Sequence, residues 1–222
     1  MSHVLFSLQE VKPVYRGRIH RMALYFSILM GLILYVVSDS GLKKVAVGIY
    51  FASQIILYGV SSTYHITIWK SVSALSTMQK FDRSSIFILI SGTQTALMLL
   101  LGPLEKSWPF QFLLATWTIA VFGFFKTFIW TNAPEVVSVG TYIVHGASVV
   151  AIMPFFFNYI DSFTFCLFVL GGIFYISGGI IFGIEKPDPY PLIFGFHEVF
   201  HALTILGNTC FMIPVIRAVL FK

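Results

Sequence analysis

Seven long apolar runs divide this chain, at residues 22–38, 45–69, 84–101, 110–127, 136–157, 163–184 and 192–220. A membrane-spanning helix needs about 20 mostly apolar residues, within a range of about 17–25, so each run is long enough to cross a bilayer. Breakers and charges collect between the runs, in Asp39 to Lys44, Lys70 to Arg83, Gly102 to Pro109, Phe128 to Glu135, Asn158 to Ser162 and Glu185 to Pro191. All six connections are short. The pattern predicts an all-α polytopic membrane protein, a seven-helix bundle forming one domain over residues 1–222 and led by a basic segment at residues 1–21. No internal repeat is evident.

Composition strengthens that reading. Hydrophobic residues make up 57% of the 222 and charged residues 10%, with a mean hydropathy of +0.87, which leaves too little polar surface for a soluble globule. The formal charge of +5 does not point to nucleic acid, because the basic residues are thinly spread. Their one concentration, Lys12, Arg16, Arg18 and Arg21, precedes the first run and reads as a topology signal in contact with anionic lipid. Lys70, Lys80, Arg83, Lys126 and Lys186 fall on the same side, and Lys43, Lys44, Lys106, Arg217 and Lys222 on the other. This balance predicts a cytosolic N-terminus and an external C-terminus. Ser38-Asp39-Ser40 follows the first run in place of a small-residue cleavage pattern, so that run is expected to stay as an uncleaved anchor. Cys166 and Cys210 lie in apolar runs without a C-x-x-C partner and read as small hydrophobes.

Ionisable residues inside such runs are costly unless paired, and each is a functional-site hypothesis. His65 falls near the exit of the second helix, Asp82 at the entry to the third, and His197 and His201 in the first turns of the seventh. All four therefore converge on one end of the bundle, whichever way up it sits. His197 and His201 are four apart, on one helix face with roughly 5–6 Å between Cβ atoms, and Ser61 and His65 repeat that spacing. Three imidazoles leaving one position open form the ligand set of a catalytic Zn²⁺, and Asp82 could accept a hydrogen bond from the water in that position.

Plainer readings cover the other residues. His145 is expected to be a hydrogen-bonded packing residue, and His3 and His20 to lie outside the spans and titrate in water. Lys126 and Arg217 can snorkel from helix ends. The glycines at 171, 172, 178, 179 and 183 predict close helix contact, and Trp69, Trp108 and Trp130 an interfacial belt.

The segments Ser61-Ser62-Thr63-Tyr64-His65, Phe81-Asp82-Arg83-Ser84-Ser85 and His197-Glu198-Val199-Phe200-His201 resemble the hemolysin III group of the progestin and adiponectin-receptor family. The S-x-x-x-H, the aspartate seventeen residues on and the late H-x-x-x-H are a specific combination, and the resemblance runs over all seven helices. Bacterial members often carry His after the motif aspartate, a Thr-Pro later in that helix and a further His late in the seventh. This chain has Arg83, Thr95-Ala96 and Cys210 there. The resemblance implies seven helices with a cytosolic amino end, and zinc held by His65, His197 and His201 with Asp82 linked through water. Animal relatives act as hormone receptors and are linked to hydrolysis of ceramide-type amides, whereas bacterial members are named for lysing red cells.

Chemically, a zinc-dependent hydrolase of lipid amides is the most economical expectation, with membrane lipids as partners. Asp82 would orient water or take its proton, and Ser61 would donate to the developing oxyanion or pack against backbone carbonyls. H-E-x-x-H at 197–201 also matches the zincin signature. There Glu198 would have to act as base, yet it points roughly 100° away from the histidine face. The non-enzyme alternatives are a pore-forming cytolysin, which would require a homo-oligomer because the polar residues cluster towards one side, and a receptor in which zinc is structural.

Overall fold

The computed structural model describes residues 12–221. Seven helices carry the fold: α1 (Arg18–Val37), α2 (Gly41–Ile66), α3 (Val72–Leu101), α4 (Trp108–Ile129), α5 (Glu135–Phe156), α6 (Ser162–Ile184) and α7 (Phe196–Phe221). Each is long and apolar enough to cross a membrane, and among the described residues there is no strand beyond an isolated bridge between Tyr190 and Phe194. His3 lies outside the described residues.

Local chemistry sets the helix starts. The Ser40 and Ser71 hydroxyls accept from Lys43 N–H and Ala74 N–H, and Asp161 accepts from Thr164 N–H, so each caps a free helix end. Pro109 stands in the first turn of α4 and Pro134 directly before α5, where a missing N–H costs nothing. At α7, Asp188 accepts from Phe196 N–H, and Glu198 reaches back to Gly195 N–H.

Burial separates an inner set from an outer one. Buried residues fill 72% of the apolar stretch of α3 and 56% of that of α2, but 11% of that of α5, so the first two are interior walls and α5 faces lipid. α3 packs against α2, α4, α5 and α7, while α7 packs against α6, α1 and α3. The main apolar core, including Leu34, Val47, Phe51, Leu97, Met98 and Val215, occupies the half of the bundle opposite His65 and His201. Gly171 and Gly178 sit where an added Cβ would meet Phe211 at 2.8 Å and Leu203 at 3.3 Å, which lets α6 lie close against α7. Gly172 and Gly183 face open space instead.

The structure corrects three expectations. α3 begins at Val72, so Asp82 sits in its third turn and not at its entry. Thirty residues span about 45 Å, roughly 15 Å more than the hydrocarbon core. Asp82, ten residues in, therefore lies close to the membrane boundary. α1 begins at Arg18 and takes in His20, which is 3% exposed and does not face water. Polar residues also reach deeper than one end: Tyr50, Gln54, Tyr58, Ser61 and His65 are all buried along α2.

Candidate metal centre

His65 comes from the last turns of α2, and His197 and His201 from the first turns of α7. One ring nitrogen from each lies within 4.8 Å of the other two, a grouping that could hold a metal ion. The Nε2 atoms of His65 and His197 are 3.1 Å apart. His65 and His201 are 6% and 2% exposed. Asp82 brings Oδ2 to 3.7 Å from His65 Nε2, and the Ser61 hydroxyl lies against the Asp82 carboxyl. All five residues singled out from the sequence thus meet in one place.

The donor set fits a metal. Neutral imidazoles are good ligands, and a buried Nδ1 on His201 has no hydrogen-bond partner. Asp82, at 3.7 Å from His65 Nε2, is placed as an acceptor beside the cluster.

Surrounding contacts hold the cluster in position. The amino-terminal segment crosses its mouth: Val14 N–H and Tyr15 N–H donate to the Leu192 and Ile193 carbonyls, both at 3.1 Å. Lys12 Nζ donates to the His65 carbonyl at 2.8 Å. Burial, then the nearby Arg16, pull the Lys12 ammonium below its usual pKa. Gly17 takes φ 75°, and a Cβ there would meet His65 Cβ at 2.7 Å, so only glycine brings the backbone this close.

Two residues were misjudged or missed in the sequence. His20 stacks on His201, with ring centroids 3.8 Å apart and planes 9° from parallel. Arg16 Nε donates to Glu198, whose other oxygen accepts Gly195 N–H at 2.8 Å. With both its oxygens engaged and its side chain fully buried, Glu198 is an anchor for the segment, not a free base. The Gly17 and Arg16 pair ahead of the first apolar run was the available signal.

A family model described as Haemolysin-III related matches residues 8–212. The chain is 29% identical over 169 residues to the Hemolysin-3 homolog of Bacillus subtilis (strain 168), a match covering 76% of this chain and 74% of that protein. It is 34% identical over 171 residues to Hemolysin-3 of Bacillus cereus, covering 76% and 72% respectively. The family match takes in Ser61, His65, Asp82, His197 and His201. The chain therefore belongs to the haemolysin-III-related family and is an integral, multi-pass membrane protein.

Proposed function

We propose that this protein is a zinc-dependent hydrolase of lipid amides of the ceramide type. The observation that carries the reading is the convergence of three imidazoles within 4.8 Å, beside a carboxylate, close to a membrane boundary. Nitrogens bound to tetrahedral Zn²⁺ at 2.0–2.1 Å stand about 3.3 Å apart, close to the 3.1 Å between His65 Nε2 and His197 Nε2. Bound there, zinc would polarise the amide carbonyl and make water nucleophilic near neutral pH. His65, His197 and His201 would hold the ion. Asp82 takes a proton from the attacking water and returns it to the departing amine as the C–N bond breaks. Ser61 has one proton to donate, and its place against Asp82 assigns it the aiming of that carboxylate.

Metal analysis combined with a turnover assay tests this reading. Protein purified without chelator is expected to carry stoichiometric zinc, and single Ala substitutions at His65, His197 or His201 to lower it. Asp82→Asn should keep the zinc while slowing fatty-acid release from a ceramide-like amide by about 100-fold or more. Monodisperse protein without metal, or full turnover by Asp82→Asn, would overturn the reading. The relatives' name, hemolysin, favours a second reading, membrane lysis, which for this chain we would assign to an oligomeric pore. Its sign is dye leakage from liposomes that rises steeply with protein concentration and ignores both chelator and Asp82→Asn.

A further inference from the structure

One helical step around α3 from Asp82 lies a polar feature that the histidine cluster does not use. The start of α3, the end of α4 and the loop into α5 enclose a cavity of about 240 Å³, walled by Lys80, Arg83, Lys126, Trp130, Thr131 and Asn132 among others. Three of these side chains are cations. Arg83 pairs with Glu135 at 3.1 Å. Among the described residues neither Lys80 nor Lys126 makes an ion pair. Their ammonium groups lie instead over the faces of Phe128 and Trp130, at 6.0 and 5.9 Å from the ring centroids. Three cations with one carboxylate, Glu135, among them therefore face one half-enclosed space together with hydroxyl and amide donors, an excess of positive charge. An anion entering this space would meet attraction from all three cations.

The surface beyond the cavity indicates what carries that anion. Over the last turns of α4, Ile129, Phe125 and Phe122 are 81%, 57% and 72% exposed, and Val136 at the start of α5 is 76% exposed. Trp130 stands between this apolar face and the polar cavity, where an indole ring sits at a membrane interface. A soluble anion would use only the cationic half of this arrangement. We propose that the cavity binds the phosphate of an anionic membrane phospholipid, whose acyl chains run along α4 and α5.

Titration of the full-length protein in neutral detergent, read by native mass spectrometry, tests this. The probes are dioleoyl phosphatidic acid, dioleoyl phosphatidylcholine and inorganic phosphate. Phosphatidic acid should bind saturably and at least tenfold more tightly than phosphatidylcholine. Lys80→Gln and Lys126→Gln should each weaken it about fivefold, and the double substitution roughly 20- to 30-fold. Lys106→Gln, at the opposite end of the bundle, should change nothing. Melting curves without lipid confirm that each variant is folded, and the single substitutions carry the test if the double one is not. Undiminished binding by the lysine variants overturns the proposal, as does equal binding of the two lipids. Inorganic phosphate binding as tightly as phosphatidic acid would mark a soluble-anion site and overturn it too.

Discussion

His145 shows what burying an imidazole in a bilayer-spanning bundle requires. It is fully buried on α5, with Nε2 at 2.9 Å from Thr116 Oγ1 and 3.3 Å from Ser91 Oγ. Ser91 gives its proton to the Thr116 carbonyl, and Thr116 gives its own to Gln94. Both hydroxyls therefore meet the ring as acceptors, which assigns the proton to Nε2 and leaves Nδ1 as the unpartnered lone pair. This network ties α3, α4 and α5 without touching the metal centre. His145→Ala is accordingly expected to keep its zinc while losing about 1–3 kcal/mol of stability, read by metal analysis and by thermal melts. His145 was legible in the sequence as a packing histidine, and His65, His197 and His201 as a cluster, because spacing along a helix carries both signals. His20 was not legible. Flanked by Arg18 and Arg21 it looks like part of a polar tail, and its burial depends on α7, far away in the chain, laying His201 against it.

Among the ion pairs between elements, two show how burial decides their worth. Glu198 is fully buried at the start of α7, and Arg16, on the segment before α1, is its ionic partner. Removing one member of a buried pair strands the other charge, so Arg16→Ala is expected to cost about 3–5 kcal/mol, measured by thermal or denaturant melts. Pairing Arg16→Gln with Glu198→Gln should recover much of that loss and retain turnover, because Glu198 holds the segment and is not a base. At the other end Asp161 caps α6 and receives Arg217 of α7 at 2.7 Å. Arg217, then Thr164, hold the Asp161 carboxyl below the usual carboxylate range. Such a group contributes stability that is complete above its unfolded pKa, near 3.9, and is lost as pH falls towards its folded value. Melts recorded at falling pH should therefore show a decline below about pH 4 that Asp161→Asn flattens. Helix identity was readable from hydropathy throughout, but the start of α3 was not. Its first turns, Val72 to Lys80, are polar enough to pass for a loop and are helical because Ser71 caps them and the helix extends past the hydrocarbon boundary.

For the whole molecule, the seven spans among the described residues would place the two chain ends on opposite faces, and the basic residues ahead of α1 are expected to orient them. A tag at the amino end should be shielded inside cells and one at Lys222 accessible from outside, by protease protection. Both tags on one face would separate His65 from His201 and refute the site. The strap across the histidines has a consequence for synthesis. Arg16 and Glu198 are 182 residues apart, and His65 and His197 are 132 apart. At 5–20 residues per second, the first pair waits roughly 9–36 s for its second member to be made. During that interval α1 to α6 can already be in the membrane, with His65 and Asp82 in place and nothing opposite them. The arrival of α7 supplies two of the three clustered histidines and the anchor for the strap in a single event, so assembly of the candidate metal centre and docking of the strap belong to the last moment of biogenesis. A ribosome stalled before Phe196 would leave an inserted but metal-free bundle, its amino-terminal segment still open to the cell's proteases.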